Sequence, residues 1–277
     1  MSCPVKVWWE FVMKLMKNKT GIIMGVANER SIAWGIAKKL HEHGAKLIFT
    51  YQTENLKKRI VPLTDSIDCN EIYQCDVSEN KDHKHSIENV FLRIKKNYQK
   101  IDFVVHALAF SDKDELKGMY IETSRNNFLQ TLDISTFSFT RAAKASLELM
   151  TKNGGNLLTL SYIGANRTTP NYNVMGVAKA ALEASVKYLS MDLGPKNIKV
   201  NAISAGPMKT LAGAAIAGAR DVFRFSEKNA PLNNNPNLEQ VGNAALYLLS
   251  DLSSGVSGKI HYVDGGFHLV GIPEQKK

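Results

Sequence analysis

Cysteine is scarce in this chain. Three residues among 277, Cys3, Cys69 and Cys75, are too few and too scattered for a disulfide framework or a four-ligand zinc centre. A reducing cytoplasm is the expected compartment, and no metal site is expected. No apolar run approaches the 18 or so uncharged residues that a membrane helix requires. No linker, repeat or low-complexity tract divides the chain, so one domain is expected. Lys and Arg number 35 against 26 Asp and Glu, a net charge of +9. The lysines are nevertheless dispersed, and no basic run interleaves with aromatics, which argues against nucleic acid. Solvated lysines on helix faces are the first explanation of that charge; an acidic carrier protein or a phosphorylated ligand would suit it too.

Residues 1–18, with Trp8 beside Trp9, lack the long apolar core of a secretory signal and the Arg and Ser of a transit peptide. They read as an appendage, disordered or docked as an amphipathic helix, before a fold that begins near Lys19. Residues 269–277 read as a tail.

What the chain does have is alternation. Short apolar β-rich runs at 21–25, 46–51, 71–75, 101–108, 156–162, 198–204 and 260–264 alternate with helical patterns near 31–43, 53–66, 82–98, 123–150, 173–193 and 238–251. Strands apolar nearly throughout belong in a sheet covered on both faces. The expected fold is α/β: a single doubly wound Rossmann-type domain, with a seven-stranded parallel sheet and helices on both faces. Ligands of such sheets bind beyond the carboxyl ends of the strands, so the residues just after each strand are the ones to inspect.

After the first strand comes "GVANERSIAWG", Gly25 to Gly35. Gly25 can supply a tight turn, Ser31 and Ile32 open a helix where amides and a hydroxyl face outward, and Gly35 permits close helix–sheet packing. The run is not G-x-G-x-x-G, and a plain strand–turn–helix capped by Ser31 explains it as well. The second strand ends "FTYQTEN", placing Gln52 where a dinucleotide fold often carries an acid for the ribose or an arginine for a 2′-phosphate. A neutral amide favours NADH over NADPH, although Lys57 and Lys58 follow. Asp76 and Val77, after the third strand, either frame an adenine or lead into a helix.

At the other end, Tyr162 closes the fifth strand, Tyr172 enters the next helix after Pro170, and Lys179 follows seven residues later. At 3.6 residues per turn that spacing puts Tyr172 and Lys179 on one face, within about 20°. The lysine stem leans back toward the tyrosine. A phenol can donate to a carbonyl oxygen gaining negative charge, while an ammonium holds ribose hydroxyls and favours the more acidic form of the phenol. An exposed tyrosine and a solvated lysine are the plain alternative.

Six ordered blocks, "GVANERSIAWGIA", "FTYQ", "CDV", "SYIGANRTTPNYNVMGVAKA", "KVNAISAGPMKTLA" and "VDGGF", resemble the short-chain dehydrogenase/reductase superfamily. More closely, the span from about Lys19 to His268 is similar to the bacterial enoyl-acyl-carrier-protein reductases. Most of the superfamily carries Tyr-x-x-x-Lys; here Met175 stands four before Lys179, and the longer spacing is the mark of the enoyl reductases. The resemblance implies NADH-dependent reduction of the trans-2 double bond of enoyl thioesters on an acidic acyl carrier protein, in a cytoplasmic homotetramer. It implies Tyr162, Tyr172 and Lys179 as catalytic residues, and Ser111, Tyr162 and Tyr172 against the substrate. It implies Gly25, Ser31, Ile32, Gln52, Asp76, Val77, Leu108, Lys179, Met208, Lys209, Thr210, Leu211 and Ala212 along the cofactor. The Ala- and Gly-rich run within 208–228 takes the place of a mobile substrate lid, with Arg220 and Arg224 toward the carrier. Where the family more often shows His-Ser-Ile-Gly, this chain has His106-Ala107-Leu108-Ala109. A carbonyl (3-oxoacyl) reductase and a non-catalytic dinucleotide sensor are the rival expectations.

Overall fold

The structure, a computed structural model, describes residues 14–78, 83–150, 154–214 and 216–272. Its strands are β1 (Thr20–Met24), β2 (Lys46–Tyr51), β3 (Ile72–Gln74), β4 (Phe103–His106), β5 (Gly155–Ser161), β6 (Ile198–Ala205) and β7 (Ile260–Val263), each within two residues of the expected range. They pair parallel throughout, in the order β3–β2–β1–β4–β5–β6–β7. The helices are α1 (Ile32–Glu42), α2 (Glu54–Asp65), α3 (Ile87–Asn97), α4 (Arg125–Leu132), α5 (Ser138–Met150), α6 (Asn173–Leu193), α7 (Leu211–Ala214), α8 (Ala219–Asn229) and α9 (Leu238–Leu249).

Successive strand residues point to opposite faces, and both faces are covered. Along β1, Ile22 and Met24 join Phe91 of α3, Phe139 of α5 and Leu182 of α6 in one core. Ile23 joins Trp34 of α1, Ile60 of α2 and Val241 of α9 in the other. Phe49, Phe91, Phe103 and Phe139 are fully buried, each worth about 1.5–3 kcal/mol of apolar transfer. That two-sided burial is why the strands read as unbroken apolar runs.

Two parts of the chain depart from expectation. The single helix expected over 123–150 is split by a π-helical turn at Asp133–Phe137 between α4 and α5. The wider turn aims buried hydroxyls at neighbouring elements: Ser135 exchanges bonds with the Phe110 backbone (3.0 and 3.1 Å), and Thr136 donates to the Ala178 carbonyl of α6 (2.8 Å). The helix expected over 82–98 begins only at Ile87, where Ser86 caps it by accepting from the Asn89 amide. The 208–228 run holds two short helices, α7 and α8.

The packed body also begins before Lys19. Met16 is fully buried in the α1/α9 core, and its amide donates to the His43 carbonyl at the end of α1 (3.0 Å). The rest of the expected appendage, 1–13, lies outside the described residues, as do 273–277 of the tail. Leu269 and Val270 of that tail are in the fold, because Arg167 donates to the His268 and Val270 carbonyls. We expect Met16→Ala to cost about 2–4 kcal/mol in urea unfolding, the usual toll for truncating a buried methionine. An unchanged midpoint would remove residues 14–18 from the core.

Candidate active site

The order of strands reverses between β1 and β4, the switch point at which doubly wound sheets take ligands. Every residue expected at the site follows the carboxyl end of a parallel strand: Gly25 after β1, Gln52 after β2, Asp76 and Val77 after β3, Leu108 and Ser111 after β4, Tyr162 after β5, and 208–212 after β6. Tyr172 and Lys179 come to the same edge at the head of α6.

At the switch point Gly25 has φ +102°, and a Cβ there would stand 2.1 Å from the Ala107 carbonyl oxygen. Only glycine fits both the backbone and the contact. Ser31 departs from expectation: its hydroxyl does not face outward or cap α1, but accepts from the Ala27 and Asn28 amides (3.0 Å each) and closes its own turn. Ile32 opens α1, whose first-turn amides have no carbonyl of their own helix to meet. Gly35 packs against α9 rather than the sheet, since its Cβ position lies 2.9 Å from the Leu238 Cβ.

Gln52 and Asp76, from different strands, meet: Gln52 Nε2 donates to Asp76 Oδ1 (3.3 Å), which also accepts from the Ser78 amide and hydroxyl (3.0 and 2.8 Å). Lys57 turns away to Glu54 (3.7 Å) and over the Tyr51 ring. Val77 is buried, and its carbonyl accepts from Arg141 Nη1 (3.0 Å) while Arg141 grips Glu88 at two points (2.9 and 2.8 Å). Nothing local in the sequence marks that clamp. Leu108 and Met208 pack against the two cores, Lys209 lies over the Phe223 ring (5.1 Å), and Thr210 accepts from the Gly213 amide (3.0 Å). Leu211 is exposed at the start of α7. Ala212 lies within α7, and its side chain is outside those described. Ser111 donates to Asn127 Oδ1 of α4 (3.3 Å).

The tyrosines are in contact. Tyr162 and Tyr172 meet edge to face with ring centroids 5.1 Å apart, in a third apolar cluster with Leu116, Val174, Met175, Phe128 and Ile216. Tyr172 is the N-cap of α6 rather than part of its first turn, and its neighbours Asn171 (φ 58°) and Asn173 (φ 37°) are left-handed. The ideal-helix spacing from Tyr172 to Lys179 therefore does not apply; the ring is placed by its anchors. Asn171 donates to the Ala217 carbonyl (2.9 Å) and Asn173 to the Leu116 carbonyl (3.1 Å). A Cβ on Gly164 would stand 2.5 Å from the Tyr172 ring, so glycine there makes the seat. The signal for these missed residues was the Asn-Tyr-Asn triplet, since asparagine is among the few side chains that tolerate the left-handed region.

Burial, then Tyr162, pushes the Tyr172 phenol well above the ordinary tyrosine value, opposite to the acidification expected from Lys179. Burial also raises Tyr162, against a hydrogen bond with Thr169. Among the described residues no hydrogen-bond partner engages the Tyr172 phenol. Lys179 is buried, donates to the Leu160 carbonyl (2.8 Å), and is lowered to about 8 by burial against the opposing charge of Glu183. His106 on β4 is held to about 3 by burial and by Lys179, hence neutral between Thr159 (3.1 Å) and Ser138 (2.8 Å).

A doubly wound parallel sheet, a glycine packed backbone to backbone at its switch point, and a buried tyrosine and lysine at the next strand end define a dinucleotide-dependent oxidoreductase. The residues fit such a cofactor at Tyr172 and Lys179, buried polar side chains brought to the carboxyl edge of the sheet. Comparison with known proteins narrows the class. The family model described as enoyl-(acyl carrier protein) reductase matches residues 25–268. The enoyl-[acyl-carrier-protein] reductase [NADH] 1 of Rhizobium meliloti is 55% identical over 258 residues, 93% of this chain and 93% of that protein. The crystal structure of FabI from Candidatus Liberibacter asiaticus has a TM-score of 0.90 at 51% identity, over 94% of this chain and 99% of that one. The reductase of Anaplasma phagocytophilum, solved in complex with NAD, has a TM-score of 0.89 at 50% identity, over 94% and 97%. This chain belongs to the enoyl-acyl-carrier-protein reductase family.

Proposed function

We propose that this chain uses NADH to reduce the trans-2 double bond of enoyl thioesters carried on acyl carrier protein, the last reductive step of fatty-acid elongation. The observation that carries this function is the Tyr172 phenol: buried, held protonated and uncommitted, against Tyr162 at the strand end where Lys179 is anchored. Bound NADH supplies the hydride, which goes to the β-carbon of the enoyl group. Tyr172 donates to the thioester oxygen as that atom gains negative charge. Lys179 holds the nicotinamide ribose from its seat on the Leu160 carbonyl. Tyr162 and Ser111 line the acyl side, and a proton reaching the α-carbon through water completes the step.

Gly25, Ser31, Ile32, Leu108 and the 208–212 run take the pyrophosphate and nicotinamide end; Gln52, Asp76 and Val77 take the adenosine end. The Gln52 amide suits a ribose hydroxyl, and the adjoining Asp76 carboxylate would repel a 2′-phosphate, which favours NADH over NADPH. Residues 208–228 form the lid, with Ile216 already touching the Tyr172 cluster. Arg220 and Arg224 on α8 would meet the acidic carrier. A cytoplasmic homotetramer follows the usual habit of the family, and among the described residues no helix is long and apolar enough to cross a membrane.

We expect the protein to oxidise NADH with crotonyl thioester, more slowly or not at all with NADPH, and to leave acetoacetyl thioester untouched. Turnover of the acetoacetyl but not the crotonyl thioester would make it a carbonyl reductase; NADH binding with no turnover of either would make it a sensor.

A further inference from the structure

Glu183 is a carboxylate within α6, 7% exposed, that takes no part in the proposed reaction. It lies one helical turn beyond Lys179, on the same face. Ser161 donates its hydroxyl to Glu183 Oε1 (2.6 Å), and Asn166 Nδ2 donates to Oε2 (2.9 Å) and to the Tyr262 hydroxyl (3.3 Å). Leu160, Ser161 and Tyr162, consecutive at the end of β5, thus each meet α6 or its N-cap. Lys179 binds the Leu160 carbonyl, Glu183 binds Ser161, and Tyr172 packs on Tyr162.

A buried carboxylate is tolerated where hydrogen bonds and an opposite charge offset its lost hydration. Ser161 and Asn166 supply the first, and Lys179 the second. The other groups that face this pair cannot substitute for either. His106, from β4, is held neutral. Tyr162 and Tyr172 are raised by burial. Tyr262, from β7, is raised by burial and then by Glu183 and Asp264, with Arg167 opposing. Among the described residues, the acid whose charge bears on Lys179 is Glu183.

We propose that Glu183 is a positioning residue of this reductase: its carboxylate, fixed by Ser161 and Asn166, keeps Lys179 a charged ammonium able to grip the ribose. The proposal rests on the reading that Lys179 holds the cofactor. Glu183→Gln keeps the shape and removes the charge; Glu183→Asp keeps the charge and shortens the reach.

The measurement is the NADH dissociation constant of the full chain against pH, followed by nucleotide fluorescence, with Lys179→Met as reference. Wild-type affinity should fall above about pH 8, where Lys179 loses its proton. In Glu183→Gln that limb should move down by about one pH unit, as loss of an opposite charge one helical turn away on the same face requires, with affinity near pH 6 kept within about twofold. In Glu183→Asp the limb should stay within about half a unit of wild type.

A limb that does not move in Glu183→Gln, or an affinity lost equally at every pH, overturns the proposal in favour of simple packing. Should Glu183→Gln fail to fold, Glu183→Asp decides: a retained limb supports the role of charge, and uniform loss overturns it. A Lys179→Met variant with wild-type affinity sinks the cofactor role of Lys179 and this inference together, whereas a limb absent from both wild type and Glu183→Gln sinks the inference alone. A limb present in wild type and unmoved in Glu183→Gln sinks the inference alone.

Discussion

Replacing Tyr172 by phenylalanine is expected to lower kcat on an enoyl thioester about 100- to 1000-fold, the usual effect of removing one preorganised donor to a developing oxyanion. NADH affinity should stay within about twofold, because the change leaves the ring and removes one hydroxyl. Stability should also hold to within about 1 kcal/mol, since among the described residues the phenol has no hydrogen-bond partner to lose. The ring remains seated on Gly164 and against Tyr162, so a fall in turnover reports the missing hydrogen-bond donor rather than a collapsed site. The same change at Tyr162, whose hydroxyl is engaged with Thr169, should cost only several-fold. Steady-state rates beside an NADH titration check both variants. A Tyr172→Phe enzyme with wild-type kcat would strip Tyr172 of its role.

What the sequence made legible follows from which forces are local. Strands show themselves because helices on both faces force nearly every strand residue to be apolar, as in β1, where Ile22 and Ile23 enter opposite cores. The site edge follows from topology alone, since parallel strands put Gly25, Gln52, Asp76, Leu108 and Tyr162 at one end of the sheet. What a side chain does there depends on groups far away in the chain. Ser31 reads as outward-facing until its turn curls back to place two amides on the hydroxyl. The π-helical turn at Asp133–Phe137 is hidden for the same reason: the apolar periodicity runs on, and the break is set by Phe110 and Ala178. Lys179 is visible as a candidate; Glu183, one turn on, reads as an ordinary helix glutamate until Ser161 and Asn166 close over it. The spacing of Tyr172 and Lys179 marks the family, yet the geometry behind it is a left-handed kink at Asn173, not an ideal helix.

Lys179→Met separates binding from folding. The chosen side chain matches the length of the lysine stem and removes the charge and its donor, so we expect NADH affinity near neutral pH to fall about 10- to 100-fold, the range for losing a charge-assisted hydrogen bond. Stability should change far less. Burial, opposed by the charge of Glu183, moves Lys179 from the ordinary lysine value of 10.5 to about 8, so at neutral pH the folded chain carries an ammonium whose burial has a net cost of roughly 3 kcal/mol. Methionine relieves that cost while leaving the Leu160 carbonyl without its donor, and the two changes oppose each other.

The pH dependence gives the sharper check. Between about pH 8 and pH 10.5 the unfolded chain keeps the Lys179 proton that the folded chain has released, so this residue's contribution to stability rises with pH there. NADH affinity falls across the same window, because the released proton is the one that makes the ammonium. Cys75, pushed up to about 12 by burial, and Tyr172, raised for the same reason, pull total stability the other way at high pH. The wild type minus Lys179→Met difference therefore carries the signal. Urea unfolding of the two chains without nucleotide, at several pH values, should give a difference that moves in favour of wild type as pH rises. A flat difference, together with an NADH affinity equally flat in wild type, would mean that Lys179 keeps its proton in the folded and unfolded chains alike across this window, and that burial does not lower it.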